Sequence, residues 1–378
     1  MIYFDNAATT VVDDEVLDTF VKLTKKLIGN PSSVNGKGQE ASNFLEKARE
    51  QIASTLHLNR NKEVIFTSGA TESNNMAIEG ICSRYKKVGK HIITTEVEHP
   101  SVLNVFKKLE NEGFEVTYLK VDNKGQISLE ELKNAMREDT ILVSIMAVNN
   151  EIGTIYPIEE ASKIVKEYKN AFFMVDATQG IGKVRINFND VDIFSMSSHK
   201  IKGLKSVGLL VKDRKINLDP IVEGGGQENG LRSGTMNAPL CCSLATALRK
   251  YFASFDTRYK KAKELNSYLR NELSKMGDEI IILSDENESS PYILNFALTH
   301  YKASVVVEAL SQREVYISTK SACSEHSKSS SSVIQKMGYD ESVASNALRL
   351  SFEGVEDVSK GEEFIKIFKE VLSKLKRI

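Results

Sequence analysis

Apolar positions in the first two thirds of the chain follow two alternating patterns. Short, nearly continuous apolar runs predict strands at 63–67, 91–95, 115–121, 141–148, 172–176, 192–196 and 207–212. Apolar residues spaced three and four apart predict helices near 14–27, 39–57, 72–87, 100–112, 128–137 and 158–168. Such alternation is typical of an α/β fold, in which helices cover both faces of a mainly parallel sheet, here of seven-stranded type.

The last third of the chain has a different pattern, in which one long helix precedes mixed strands and helices. The helix is predicted from about 239 to 274, and strands follow at 279–283, 293–298, 315–318 and 347–352. Further helices are predicted near 303–312 and from about 356 onward. We therefore expect a large α/β domain over residues 1–250 and a smaller α+β domain over 251–378, with segment 1–30 free to pack against the smaller one.

The composition is that of an ordinary globular protein. Of 378 residues, 41% are hydrophobic and 27% are charged, and 50 basic side chains nearly cancel 51 acidic ones. This balance argues against a disordered tail and against a general nucleic-acid binder. No apolar run approaches the ~20 residues that span a membrane, and no basic region precedes an apolar stretch at the N-terminus. We expect a cytoplasmic protein without membrane contact.

The four cysteines, Cys82, Cys241, Cys242 and Cys323, show no CxxC spacing. The absence of CxxC pairs excludes a zinc ribbon. The small number of cysteines in a long chain fits a reducing compartment. The first three lie in helical patterns and are expected in the core. We predict no metal site.

An acid ends one of the predicted strands, and a lysine comes shortly after another. Lys200 ends the sequence Asp192-Ile-Phe-Ser-Met-Ser-Ser-His-Lys200, and Asp176 ends the strand 172–176. Carboxyl ends of neighbouring parallel strands meet at one edge of a sheet, where ligands bind. A lysine that forms a Schiff base and an acid that pairs with the protonated pyridine nitrogen suit pyridoxal phosphate. Taken alone, Lys200 could equally be a solvated loop residue.

The turn that follows strand 63–67 provides a candidate phosphate site. The sequence Thr67-Ser-Gly-Ala-Thr-Glu72 leads from a strand into a helix, whose first backbone N–H groups point outward. Such a turn is often only a helix cap. The interpretation as a phosphate site is supported by Lys200 and Asp176, which suit the same cofactor.

Nine motifs occur in one order along the chain. They are Asp5-Asn-Ala-Ala-Thr-Thr10, Gly29-Asn-Pro-Ser-Ser33, Thr67–Asn74, Glu98-His99, Val148-Asn-Asn-Glu-Ile-Gly153, Val175-Asp-Ala-Thr-Gln179, Ser197–Lys200, Arg232-Ser-Gly-Thr235 and Ser321-Ala-Cys323. In these motifs the chain resembles the cysteine desulfurases of the NifS/IscS type. That family belongs to the class V aminotransferase group of fold-type I pyridoxal-phosphate enzymes. The resemblance covers nearly the whole chain.

The resemblance implies roles around the ring of pyridoxal 5'-phosphate. Lys200 is expected to hold the cofactor and to move the substrate α-proton, and Asp176 is expected at the pyridine nitrogen. Gln179 and Asn150 are expected near the ring oxygen. His99 is expected to stack on the ring and relay protons, although in Glu98-His99-Pro100 it could instead be a loop or helix-cap residue.

The resemblance also implies how phosphate and substrate are held. The phosphate is expected to contact Ala70, Thr71, Ser197, His199 and, from a second subunit, Thr235. That last contact implies a homodimer. Arg349 is expected to clamp the α-carboxylate of L-cysteine, beside Asn150, although its strand pattern could also place it outward as a surface charge.

Cys323 is expected to decide the reaction. Its surroundings, Ser318-Thr-Lys-Ser-Ala-Cys-Ser-Glu-His-Ser-Lys-Ser, are polar throughout, so the thiol should be exposed, and Lys320, His326 and Lys328 could favour its thiolate. The resemblance implies that it takes sulfur from cysteine, which yields a persulfide and alanine. We expect the segment from about 319 to 332 to be mobile, because one sulfur must reach both the cofactor and an acceptor.

The acceptor expected from the resemblance is a protein such as an iron–sulfur scaffold or a tRNA-thiolation enzyme. Cys323 is the residue that would meet a cluster during transfer. The chain departs from the family pattern at Asn35, at Lys320 and at Leu204-Lys-Ser206. These departures concern loop geometry and remove no chemical group.

Three alternatives stay open at the level of sequence. A selenocysteine lyase shares nearly all of these residues. A plain class V aminotransferase would leave Cys323 without a role. A non-catalytic scaffold for sulfur assembly would tolerate the loss of Lys200 or Cys323, and both are present.

Overall fold

The structure, a computed structural model, describes residues 1–319 and 331–377 of the chain. Its strands are β1 (Ile2–Tyr3), β2 (Lys62–Thr67), β3 (His91–Thr95), β4 (Glu115–Leu119), β5 (Thr140–Ser144), β6 (Phe172–Asp176), β7 (Ile193–Ser197), β8 (Gly208–Asp213), β9 (Ile280–Ile282), β10 (Ile293–Leu298), β11 (Val315–Tyr316) and β12 (Ala347–Ser351).

The α-helices follow the apolar periodicity of the sequence. They are α1 (Asp14–Lys26), α2 (Gly36–Thr55), α3 (Ala70–Tyr85), α4 (Pro100–Asn111), α5 (Leu129–Ala135), α6 (Ile158–Lys166), α7 (Ala238–Ala253), α8 (Phe255–Ser274), α9 (Ala303–Ser311), α10 (Ser332–Lys336), α11 (Glu341–Ser345) and α12 (Val358–Lys374). Among the described residues, no helix is both long and apolar enough to cross a membrane.

A seven-stranded sheet organises the first part of the chain, in the order β2-β8-β7-β6-β5-β3-β4. Neighbouring strands from β7 to β4 are parallel, and β8 is antiparallel to both of its neighbours. This confirms the predicted α/β fold with a mainly parallel seven-stranded sheet. Helical crossovers between parallel strands explain the alternation seen in the sequence.

Strand β2 shows how the two faces of this sheet are covered. Val64 and Phe66 join one hydrophobic cluster with residues of α2, whereas Ile65 joins another with residues of α3 and α4. Successive side chains of a strand point to opposite faces. The apolar strand is therefore buried on both sides, as the continuous apolar runs predict.

A smaller assembly follows, built on the antiparallel sheet β12-β10-β9. Residues of α8, α9 and α12 form one hydrophobic cluster with it. The start of the chain joins this assembly, since Ile2 pairs with Val315 in a two-stranded sheet and Asp5 bridges to Ser351. Helix α1, in contrast, packs against α7. The division at residue 250 stays a prediction.

The prediction of one long helix over 239–274 is wrong, because the structure has two helices in this region, α7 and α8. They are separated at Ser254, whose Oγ accepts a hydrogen bond of 3.0 Å from Arg258 Nε. Helical periodicity persists on both sides of the break, so the apolar pattern alone does not reveal it. Cys82, Cys241 and Cys242 are buried, as predicted.

Candidate active site

A cavity of about 170 Å³ lies at the carboxyl ends of β6 and β7. The predicted site residues that line it are Ala70, Thr71, His99, Asn150, Asp176, Gln179, Ser197, His199, Lys200 and Arg349. Strands β6 and β7 are parallel neighbours, so the residues at and just after their carboxyl ends meet at one edge of the sheet. The structure thus brings together residues from six of the nine sequence motifs and from β12.

Lys200 ends a short 3₁₀ turn, Ser198–Lys200, directly after β7. Its Nζ donates hydrogen bonds of 2.6 Å to the backbone oxygens of Ala7 and Ala8. The N-terminal segment therefore holds the amine at the wall of the cavity. A lysine in this position can form a covalent bond with a carbonyl compound.

Asp176 is the last residue of β6, and only 5% of its surface is exposed. Its Oδ2 accepts from Asn74 Nδ2 at 2.8 Å, and its Oδ1 accepts from the backbone N–H of Thr178 at 3.0 Å. Donors on both oxygens fix the plane of the carboxylate. A buried, oriented carboxylate can pair with a protonated ring nitrogen.

His99 is both a cavity residue and a helix cap. It precedes α4, and its Nδ1 accepts a hydrogen bond of 3.1 Å from the backbone N–H of Ser101. Burial lowers the pKa of His99; Asp176 opposes this effect and Lys200 adds to it. The imidazole is therefore neutral near pH 7, a form that can stack on a ring and exchange a proton.

The start of α3 forms a corner rich in backbone donors. Ala70 begins the helix, and its N–H donates to Ser197 Oγ at 3.1 Å. A Cβ on Gly69, whose φ is +152°, would lie 3.0 Å from Ser197 Oγ, and one on Gly208 would lie 2.6 Å from the Cα of Gly69. Glycine at both positions lets β8 approach the turn. The first N–H groups of a helix lack acceptors within it, so this corner can hold a phosphate.

His199 completes this corner of the cavity. Its Nδ1 lies 3.1 Å from Thr9 Oγ1. Burial, aided by the charges of Lys200, Lys205 and Lys183, lowers the pKa of His199 to about 4. The imidazole is therefore neutral at physiological pH and can act as a hydrogen-bond donor through one ring nitrogen.

Arg349 points inward from β12, which settles the alternative left open by its strand pattern. Only 1% of its surface is exposed. Its Nη1 donates to the backbone oxygen of Asn150 at 2.9 Å, and its Nη2 donates to Asp5 Oδ1 at 2.8 Å. Its buried Nε has no partner among the described residues. A guanidinium held in this way retains a donor for a carboxylate in the cavity.

Gln179 connects the cavity with the N-terminal segment. Its Nε2 donates to the backbone oxygen of Ala7 at 2.9 Å, and its Oε1 accepts from Lys183 Nζ at 3.2 Å. Lys183 thus fixes the orientation of the amide. Ala7 receives hydrogen bonds from both Gln179 and Lys200.

Two predicted residues are not placed in this cavity. Thr235 is exposed and lines a separate cavity with Ser68 and Arg232, and its predicted role toward a second subunit stays a prediction. Cys323 falls between the two described ranges. So do Lys320, His326, Lys328 and most of the segment 319–332 that we expect to be mobile.

The departures from the family pattern that lie in the described ranges are accommodated locally. Asn35 caps α2, since its Oδ1 accepts from the backbone N–H groups of Lys37 and Gly38 at 3.1 and 3.0 Å. Ser206 adopts a φ of +62°, a conformation more common for glycine or asparagine. Neither side chain lines the cavity.

Sequence reasoning missed several residues that build the site. They are Asp5, Ala7 and Ala8 in the first motif, Asn74 in the third, and Ser101 and Thr178 beside the recognised residues. The motifs include all of these residues except Ser101, but the residues act through backbone oxygens and through contacts between distant parts of the chain. No residue pattern indicates such contacts before the fold is known.

Comparisons with known proteins identify the family of this chain. Residues 2–358 match the family described as Aminotransferase class-V. The chain is 42% identical to the "NifS/IcsS protein homolog" of Lactobacillus delbrueckii subsp. bulgaricus, over 100% of this chain and 99% of that protein. It is 39% identical to the "Cysteine desulfurase IscS" of Dictyoglomus turgidum, over 93% of this chain and 89% of that protein.

A solved structure shows the same fold over nearly the whole chain. It is described as "NIFS-LIKE PROTEIN", has a TM-score of 0.92 and 37% sequence identity, and covers 99% of this chain and 100% of its own. The family match includes β2 through β12 and every cavity residue. The chain therefore belongs to the aminotransferase class-V family, as a homologue of the NifS/IscS-type proteins.

Proposed function

We propose that this protein is a pyridoxal-phosphate-dependent cysteine desulfurase, which converts L-cysteine to L-alanine and leaves the sulfur as a persulfide on Cys323. The observation that carries this proposal is the convergence of Lys200, Asp176, His99 and Arg349 on one cavity. The activity in the name of the Dictyoglomus relative supports the same reaction.

The residues of the cavity fit pyridoxal phosphate. Arg349 Nε and Thr178 Oγ1 are buried there without partners among the described residues, so the cavity lacks the polar groups that would satisfy them. Lys200 would hold the aldehyde carbon, Asp176 the ring nitrogen, and the start of α3 with Ser197 and His199 the phosphate. When bound, this cofactor supplies an electron sink for the carbon next to its amine.

Substrate binding is assigned to Arg349. The α-carboxylate of cysteine has two oxygens that match the planar fork of a guanidinium. Asn150 lines the same cavity and lies next to Arg349, since its backbone oxygen accepts a hydrogen bond of 2.9 Å from Arg349 Nη1. Asp5 holds the guanidinium from the opposite end of the fork. The carboxylate would thus be fixed before the chemistry begins.

Proton movement is assigned to two side chains. Lys200 Nζ would take the α-proton of cysteine and return a proton to the product. His99 is neutral, and its Nδ1 is engaged by Ser101, so Nε2 is the atom through which it would exchange a proton.

Sulfur transfer is assigned to Cys323, which lies outside the described residues. Its thiolate would attack the sulfur of the bound cysteine. The new S–S bond forms as the C–S bond breaks, and the carbon that loses sulfur gains a proton and becomes the methyl group of alanine. Carbon is reduced as sulfur is oxidised, so the step needs no external oxidant.

We further propose a cytoplasmic homodimer that passes its sulfur to a protein acceptor such as an iron–sulfur scaffold or a tRNA-thiolation enzyme. Thr235 is exposed beside Thr67 and Ser68, near the turn that would hold the phosphate. This position supports a contribution of Thr235 to the site of a second subunit.

The test is the product balance with cysteine as the only substrate. With a thiol reductant present, the protein should release alanine and sulfide in equal amounts. Lys200→Ala should abolish both products, and Lys215→Ala, an exposed control, should release both at the parental rate. Formation of pyruvate and ammonia, or of a keto acid, would contradict the proposal.

A further inference from the structure

Asn74 lies at the centre of a buried polar network between Asp176 and His99. Its side chain is fully buried in the second turn of α3. Its Nδ2 lies 2.8 Å from Asp176 Oδ2 and 2.9 Å from Ser101 Oγ. Its Oδ1 lies 2.5 Å from Ser195 Oγ. One amide thus joins side chains of β6, β7 and α4.

The direction of each hydrogen bond follows from the carboxylate. Because a carboxylate oxygen accepts, the group of Asn74 that faces Asp176 must be its NH₂. The amide oxygen of Asn74 then faces Ser195, whose hydroxyl donates to it. The second N–H of Asn74 donates to Ser101 Oγ, which leaves the hydroxyl proton of Ser101 for His99 Nδ1, 2.8 Å away.

The network determines which nitrogen of His99 carries the proton. The hydroxyl and the backbone N–H of Ser101 both face Nδ1. A nitrogen that accepts hydrogen bonds carries no proton, so the neutral imidazole is protonated at Nε2.

We infer that Asn74 is a positioning residue, which orients the carboxylate of Asp176 and the imidazole of His99 through one amide. Asn74 does not line the cavity, so it acts through these two side chains. The inference rests on the proposed function, because that function gives Asp176 and His99 their roles toward pyridoxal phosphate. The inference gives a role to Asn74, a residue whose function follows neither from its motif nor from the lining of the cavity.

The first test is the affinity of the full-length, cofactor-free protein for pyridoxal phosphate, measured without cysteine. Asn74→Asp keeps the size of the side chain and removes both N–H donors. At pH 8 we expect its dissociation constant to rise roughly tenfold to a hundredfold, the effect of losing a hydrogen bond to a charged group. The control Asn104→Asp adds the same charge at an exposed position of α4 and should match the parent.

The dependence on pH separates positioning from general damage. A carboxyl at position 74 would face Asp176, so one of the two must take up a proton as the pH falls. The protonated group can donate again, and the deficit relative to Asn104→Asp should shrink at pH 6. The charged groups Glu98, His99 and Lys200 also lie in this network, and all three are present in the control.

The two proposals fail in different ways. A parent that does not bind pyridoxal phosphate would count against the proposed function. If the parent binds pyridoxal phosphate, either of two results for Asn74→Asp would overturn the role of Asn74. One is an affinity equal to that of the control, and the other is a loss of affinity that does not depend on pH.

A second measurement needs no cofactor and no variant of Asn74. NMR spectra of protein with ¹⁵N-labelled histidine report which ring nitrogen carries the proton. The signals of His99 are identified by their absence in His99→Gln, and in the parent they should show the proton on Nε2. Ser101→Ala should raise the measured pKa of His99 by roughly 0.5 to 1, because a donor to its neutral form is lost, and Ser101→Thr should restore it. A proton on Nδ1 in the parent, or an unchanged pKa in Ser101→Ala, would overturn the network.

Discussion

Asp5 Oδ1 and Arg349 Nη2 lie 2.8 Å apart, although 343 residues separate them along the chain. The same carboxylate oxygen accepts a hydrogen bond of 2.7 Å from Ser318 Oγ. The pair connects the N-terminal motif with β12 and holds the guanidinium so that Nε keeps no partner among the described residues. The start of the chain thus prepares the residue to which we assign substrate binding.

Arg349→Lys should weaken substrate binding more than turnover. Lysine keeps the charge but loses the planar fork, so the KM for cysteine should rise roughly tenfold to a hundredfold, with a smaller change in kcat. Initial rates over a range of cysteine concentrations measure both. Arg313→Lys, at an exposed site, is the matched control. A parental KM in Arg349→Lys would remove this residue from the substrate site.

Borohydride should fix pyridoxal phosphate to Lys200. Reduction makes the bond between the cofactor and its lysine permanent, so peptide mass spectrometry can identify the modified residue. Protein that holds the cofactor on Lys200 should be yellow, and the same treatment should remove this colour. Modification of Lys202 or Lys205 instead would show that the lysine is assigned wrongly.

Asp176→Asn should leave the fold intact and reduce turnover by about a hundredfold or more, because a neutral amide no longer holds the ring nitrogen protonated. The amide oxygen of the new side chain can still accept from the backbone N–H of Thr178, and only the hydrogen bond from Asn74 is lost, so circular dichroism should change little and thermal unfolding only modestly. Asp18→Asn, on the exposed face of α1, serves as the control. Near-parental turnover would refute the electron-sink role of this carboxylate.

Glu98 should make the protein less stable as the pH rises. Burial, with a contribution from Asp176, raises the pKa of Glu98 to about 8. Between its ordinary value and about 8, the folded protein keeps this proton and the unfolded chain releases it. Stability therefore falls by up to about 1.4 kcal/mol for each pH unit in that range.

Glu98→Gln tests this linkage. The amide oxygen can still accept from Thr95 and from the backbone N–H of Met146, as Glu98 Oε1 does, but the group no longer titrates. Urea unfolding at pH 6 and pH 8 should show a smaller loss of stability in Glu98→Gln than in the parent or in the exposed control Glu167→Gln. Equal losses in all three proteins would contradict the raised pKa.

The sequence predicts the parts of the structure that depend on local pattern. Apolar runs identify the strands of the main sheet, and at its carboxyl edge Asp176 ends one of them and Lys200 follows another. The break at Ser254 was missed because both helices present apolar faces to the core.

The contacts of Ala7, Ala8 and Asn74 could not be predicted from local pattern. Ala7 and Ala8 act through backbone oxygens, which every residue has. Asn74 acts through partners 27, 102 and 121 positions away, so its role requires the complete fold.

The central claim is that Cys323 removes sulfur from cysteine bound in the cavity. The most direct measurement is alanine release by Cys323→Ser, compared with the parent and with Cys242→Ser. The second variant alters a buried thiol that does not line the cavity. A hydroxyl cannot accept sulfur in this way, so Cys323→Ser should still bind cysteine, seen as a shift in the cofactor spectrum, but form neither persulfide nor alanine. Cys242→Ser should form both at about the parental rate. Release of alanine at the parental rate by Cys323→Ser would contradict the account.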